Sequence, residues 1–241
     1  MRIVLLWNGY LKKMKTIGIV GGISPESTSV YYKELNNGIR IRTQQQHQAK
    51  MIIFSVDGGE IWQFRQKGDW SSQGKIIANA ALALQKAGAD FILLAGNTLH
   101  LVANFLESVI NIPFLHIIDI TAISIKKAGI KIIGLTGTSI TMSERFYIER
   151  LSQHGIKAIV PNKDDQATMD RIIYKELIQG VVSTESKVAY TKIINNLVLS
   201  GAEGVILGCT ELTLFKPLDC STILFDTTLI HIEAAINYAL E

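Results

Sequence analysis

One stretch of this chain occurs twice, and the repetition limits what the chain can fold into. Gly88-Ala89-Asp90-Phe91-Ile92-Leu93-Leu94-Ala95-Gly96-Asn97-Thr98 matches Gly201-Ala202-Glu203-Gly204-Val205-Ile206-Leu207-Gly208-Cys209-Thr210-Glu211. Both read Gly-Ala-acid, then strand-like residues, then a small residue and a polar cluster. Thr16-Ile17-Gly18-Ile19-Val20-Gly21-Gly22 resembles Ile132-Ile133-Gly134-Leu135-Thr136-Gly137-Thr138 at a similar offset. A period this long rules out a solenoid and points to two diverged copies of one unit. The short apolar runs read as buried parallel strands. They alternate with helical spacing, as in Ile76, Ile77, Ala80, Ala81, Leu84 and Ala87. The expected class is α/β, with two pseudo-symmetric lobes, each a parallel sheet flanked by helices. Open sheets of this kind bind ligands at strand ends, so the active site is expected between the lobes. In the register of the repeat, Cys209 is matched by Gly96.

Boundary signals support the same alternation. Ser24 followed by Pro25 is a helix start, and Gly88 closes the helix that ends at Ala87. Thr141 with Glu144 reads as a capping box. Ser183 and Asp226-Thr227-Thr228 open later helices, and Ile112 to Leu115 reads as a short edge-like strand. Arg40 to Lys50 is polar and reads as a loop. Asp57 and Glu60 follow a strand, where an exposed loop competes with substrate contact.

The chain has 241 residues, is 48% hydrophobic and carries a formal net charge of +3. With no dense Lys/Arg block, a nucleic-acid partner is not indicated. The two cysteines, Cys209 and Cys220, give neither a disulfide framework nor metal-ligand spacing. A reducing cytoplasm is the expected compartment. Ile3 to Trp7 is apolar but too short for a signal segment or a membrane span. Residues 1–14 are set aside as an extension, Met14 being an alternative start.

Several strand-end loops carry small or hydroxylated residues toward helix starts: Ser24, Asn97-Thr98, Thr138-Ser139 and Thr210. Simple capping competes at each, but together they suggest a site for carboxylate or phosphate. Gly18-x-x-Gly21-Gly22 lacks the spacing of a dinucleotide fingerprint, and there is no Walker A motif. Cys209, placed at a helix start, is expected to have a thiol pKa below the free value of about 8.5 and to serve as a base. Cys220 reads as incidental beside Asp219. His100 and His231 fall within helical patterns and read as packed or surface residues.

Gly21-Gly22-Ile23-Ser24-Pro25-Glu26-Ser27-Thr28, Asn97-Thr98-Leu99-His100, Gly208-Cys209-Thr210-Glu211 and Phe225-Asp226-Thr227-Thr228 resemble the aspartate/glutamate racemase family. Ile172-Ile173-Tyr174-Lys175-Glu176-Leu177 also fits, so the resemblance runs from residue 15 to the C-terminus. It implies a first lobe of residues 15–115 plus 226–241 and a second of residues 116–225. It also implies a homodimer with cofactor-independent chemistry at Cα of a small amino-acid or dicarboxylic-acid substrate. With phosphate-binding signatures and ligand clusters missing, no pyridoxal phosphate, metal or nucleotide is expected.

In that family two acid/base groups flank Cα, and the second maps onto Cys209. The first falls on Gly96, which cannot transfer a proton. Ser24, Asn97, Thr98, Thr138, Thr210 and Arg42 map as substrate contacts. The resemblance thus implies a cofactor-independent amino-acid racemase. The missing group keeps two other readings open: a one-thiol decarboxylase or isomerase, similar to arylmalonate decarboxylases, and an inactive carboxylate-binding protein.

Overall fold

The computed structural model describes residues 14–216 and 220–241. The extension, apart from Met14, and Asp219 lie outside the described residues. Among the described residues, seven parallel strands form two sheets. The first contains β1 (Ile17–Gly21), β2 (Met51–Ser55) and β3 (Phe91–Leu94) in the order β2-β1-β3. The second contains β4 (Ile132–Thr136), β5 (Lys157–Ile159), β6 (Gly204–Leu207) and β7 (Ile223–Asp226) in the order β5-β4-β6-β7. Ile112 to Leu115 does not form a full strand. It adds a single parallel bridge, Phe114 beside Ile92, at the position β7 holds beside β6 in the other sheet. Its proline explains part of this, because Pro113 has no N–H to give and only its carbonyl accepts, from Ile92.

The strands are apolar on both faces because helices cover both. Side chains alternate across a strand. Ile17, Ile19, Phe91 and Leu93 therefore enter one core with Tyr31 and Leu35, while Val20, Ile92 and Leu94 enter another with Ile77 and Leu84. The second sheet divides the same way, Val205 and Leu207 facing Ile193 and Leu197, and Ile206 facing Ile118 and Tyr147. Cutting a fully buried side chain such as Leu93 to alanine is expected to cost about 2–5 kcal/mol.

The helices that cover the sheets are α1 (Pro25–Arg42), α2 (Gly58–Gln66), α3 (Trp70–Lys86), α4 (Ala103–Glu107) and α5 (Ile117–Lys127) on the N-terminal side. They continue with α6 (Ser139–Ser143), α7 (Arg145–Gln153), α8 (Lys163–Lys175), α9 (Thr184–Leu199) and α10 (Thr227–Leu240). Ser24 Oγ accepts from Ser27 N and Asp226 Oδ1 from Leu229 N, so both caps form. The Thr141–Glu144 capping box does not. Thr141 lies inside the five-residue α6, and Glu144 precedes α7 without a side-chain cap bond. Gly22 turns the chain after β1 at φ +99°, where a Cβ would stand 2.2 Å from the Val56 carbonyl oxygen.

The segment after β2 is a helix rather than a loop. Asp57 Oδ1 accepts from Gly59 N, Ile61 is buried, and α2 lies along the edge of the first sheet's core. Helix α10 crosses from β7 to pack Ile232, Ala235 and Ile236 against the first sheet's inner layer. It carries His231, whose Nε2 donates to the Leu115 carbonyl at 2.7 Å while Nδ1 accepts from Tyr31 at 2.8 Å. Among the described residues, no helix is long and apolar enough to cross a membrane.

Candidate active site

The two sheets present the ends of their central strands to one cavity of about 370 Å³. From the first come Ser24 after β1 and Gly96, Asn97 and Thr98 after β3. From the second come Thr138 after β4 and Gly208 to Glu211 after β6. Trp62 and Arg65 of α2 and Tyr174 of α8 complete the wall. The repeat that the sequence shows at β3 and β6 is thus a repeat of cavity-lining loops.

Side-chain hydrogen bonds fix these loops. The Ser27 and Thr210 hydroxyls are 2.8 Å apart and buried. Asn97 Nδ2 donates to Thr227 Oγ1 at 2.9 Å, and Tyr147 donates to Asn97 Oδ1 at 3.2 Å. Asn97 therefore bonds the protein at both ends of its amide, which fixes the β3 loop, while the residue still lines the cavity.

His100 supports the same loop from behind. The Ile117 N–H can only donate, so His100 Nε2 accepts from it at 3.2 Å. Its Nδ1 then carries the proton to the Gly96 carbonyl, 3.0 Å away. Burial holds His100 well below the ordinary histidine pKa, with His116 and His231 adding to the effect, so the ring is neutral.

Cys209 stands two residues past the end of β6 and keeps some exposure to the cavity. The chain continues from it into a six-residue 3-10 helix, Thr210–Phe215, with no side-chain cap at Cys209. The expectation of a depressed thiol pKa is therefore overturned. Burial pushes the thiol well above its usual value, and the Glu211 carboxylate adds to this by charge and by hydrogen bonding. The Glu211 and Thr210 backbone N–H groups act in the opposite sense. Sγ–H donates to Glu211 Oε2 at 2.9 Å, and the single Ser24 hydroxyl proton has two acceptors at 3.2 Å, Glu211 Oε1 and Glu26 Oε2.

The other short elements weaken the helix-terminus account of anion binding in the same way. Asn97 opens a 3-10 helix, Asn97–Val102, and Thr138 opens the single-turn α6. Neither offers the aligned dipoles of a long helix.

Among the described residues, the cation lining the cavity is Arg65, which no motif in the sequence marks. Its Nε donates to Gln73 Oε1 at 3.1 Å and Nη2 to Thr98 Oγ1 at 3.0 Å. Among the described residues no carboxylate forms a salt bridge with it. Burial lowers its pKa, and Tyr174 opposes that shift. Arg42 does not line the cavity. Its guanidinium is bound by Glu233 and by Asn237 Oδ1 on the surface of α10. Glu60 is also absent from the wall, and Asp57 acts as the cap of α2.

Cys220 lies outside the cavity and packs against the core of the second sheet. Among the described residues, no group of three or more His, Cys, Asp or Glu side chains is arranged to share a metal ion.

The family model for Asp/Glu/hydantoin racemases matches residues 20–235. The chain belongs to the Asp/Glu/hydantoin racemase family. A structure from Yersinia pestis, provisionally assigned as an Asp/Glu racemase, is 45% identical over 95% of this chain and 100% of that one, with a TM-score of 0.90. An aspartate racemase homologue from Pyrococcus horikoshii is 39% identical, covers 95% of this chain and 100% of its own, and has a TM-score of 0.84. The broad specificity amino-acid racemase RacX of Bacillus subtilis is 26% identical across 81% of this chain and 85% of its own. Membership of this racemase family places the two-sheet α/β architecture among known folds and supports isomerase chemistry at the family level.

Proposed function

We propose that the chain is a cofactor-independent amino-acid racemase of the aspartate/glutamate type, moving the α-proton of a small amino acid or dicarboxylic acid. The observation that carries this reading is a thiol and a guanidinium without a carboxylate partner on the wall of one cavity. Cys209 is the acid/base group, and Arg65 takes a substrate carboxylate. Ser24, Thr98 and Thr138 add hydroxyls, while Asn97 and Thr210 hold the loops. Among the described residues no cluster of metal ligands is present, so activity is expected to survive dialysis against a chelator. The free thiols of Cys209 and Cys220 suit a reducing cytoplasm, and the family resemblance supports a homodimer.

Gly96 favours a second reading. With no side chain at this position, the cavity lacks an acid/base group there, and a one-thiol decarboxylase or isomerase needs only Cys209. Product analysis separates the two. Racemisation removes optical rotation without a change in mass, whereas decarboxylation releases carbon dioxide. Tight carboxylate binding with neither product would point to an inactive binding protein.

A further inference from the structure

We propose that the substrate of this cavity carries one carboxylate and an apolar or aromatic side chain, and that Trp62 and Ile178 select that side chain against a second carboxylate. The inference rests on the racemase reading and narrows its substrate class. Among the described residues that line the cavity, the charged side chains are Arg65 and Glu211. Arg65 can take one carboxylate. Glu211 receives the Cys209 thiol and shares the Ser24 hydroxyl with Glu26. A second substrate carboxylate would find no cation and would share the wall with a negative charge, so its desolvation would go uncompensated.

The rest of the wall is largely apolar. The strand ends supply hydroxyls and the thiol, whereas α2, α8 and the 3-10 turn after α8 (Leu177–Gln179) supply Trp62, Tyr174 and Ile178. Ile23, after β1, adds a further apolar side chain. Trp62 and Tyr174 meet with ring centroids 6.0 Å apart and planes tilted by 58°. Trp62 is 46% exposed and Ile178 38%, so each keeps apolar surface that the protein does not cover. Trp62 stands three residues before Arg65, on the same face of α2. A carboxylate held by Arg65 therefore leaves the remainder of a small substrate beside the indole. Covering apolar surface is favourable in proportion to the area removed from water. The cavity volume of about 370 Å³ lies within the range of small-molecule sites.

The test sets L- and D-leucine, methionine and phenylalanine against L- and D-aspartate and glutamate. Calorimetric titration reads binding, and deuterium incorporation at Cα reads turnover. The unaltered protein is expected to bind the preferred apolar amino acid about 100-fold more tightly than aspartate. Trp62→Ala is expected to weaken binding of the apolar amino acids about 10- to 100-fold more than it weakens binding of aspartate. Trp62→Phe should restore part of that loss. Ile178→Lys supplies a second cation at a partly exposed position. It is expected to raise aspartate or glutamate binding about tenfold while lowering leucine binding. Melting temperatures near the parent's confirm that each variant folds.

Aspartate or glutamate bound by the unaltered protein as tightly as the apolar amino acids overturns the substrate class. Exchange confined to aspartate or glutamate overturns it while upholding the racemase. An equal loss for apolar and acidic ligands in Trp62→Ala overturns the selecting role of Trp62. Selective binding of apolar amino acids with no exchange upholds the class and contradicts the racemase reading. If no ligand of either set binds, both fail.

Discussion

The Arg65 guanidinium donates to the Thr98 hydroxyl at 3.0 Å, tying helix α2 to the loop that ends β3. Gln73 holds its Nε at 3.1 Å, and Nη1 has no hydrogen-bond partner among the described residues. A planar cation fixed along one edge is prepared for a carboxylate on the other. Arg65→Ala is therefore expected to weaken binding of a carboxylate substrate about 10- to 100-fold, the worth of a charged hydrogen bond. Arg65→Lys should recover only part, since a single ammonium cannot reproduce the fork. Calorimetric titration checks both. Equal affinity in all three proteins would remove Arg65 from the site.

Acid should loosen the molecule before it titrates the carboxylates. Burial lowers His231 from 6.5 to about 4 and, with Arg150, His231 and His154 adding, lowers His116 from 6.5 to about 2. Their folded pKa values are depressed, so the unfolded chain takes up protons first. The stability these neutral rings provide is full above about pH 6.5 and is lost as pH falls, toward 4 for His231 and toward 2 for His116. For His231 alone the loss is on the order of 3 kcal/mol. Melting temperatures between pH 7 and pH 5 should fall, and His231→Gln should flatten the fall. A flat profile in the unaltered protein would contradict the hydrogen-bond assignments of this cluster.

Much of this architecture is legible in the sequence because it is repeated. Gly88 to Thr98 and Gly201 to Glu211 form matching strands and matching cavity loops, and Ser24 and Asp226 cap as their types suggest. Arg65 is hidden because α2 opens with Gly58-Gly59, mixes polar and apolar residues and buries only Ile61. The Cys209 environment escapes sequence reading for a different reason. Spacing places Thr and Glu after the thiol but does not distinguish a 3-10 turn from an α-helix, nor show the Glu211 side chain turning back to the sulfur. Arg42 sits at the end of α1, and its partners are 191 and 195 residues away in sequence, beyond any local pattern.

Gly96 lines the same cavity as Cys209, and a Cβ built there meets nothing within 4 Å. Room is therefore no obstacle to Gly96→Cys, but its φ of +155° is one that side chains rarely adopt. The substitution should cost about 1–2 kcal/mol, read as a melting temperature lower by about 2–8 °C. If it supplies the missing acid/base group, racemisation should rise relative to one-sided exchange, without loss of substrate affinity. Normal binding with no gain would mean that a thiol at this position does not reach the second face of Cα.

Hydrogen–deuterium exchange at Cα measures proton movement by Cys209 directly, whether or not racemisation occurs. Proton magnetic resonance in deuterium oxide should show the unaltered protein exchanging one enantiomer of a small amino or dicarboxylic acid faster than the other, because Gly96 offers no acid/base side chain. Cys209→Ala should abolish that exchange while melting within a few degrees of the parent, and Cys220→Ala should leave it unchanged. Exchange that persists undiminished in folded Cys209→Ala protein would contradict the account.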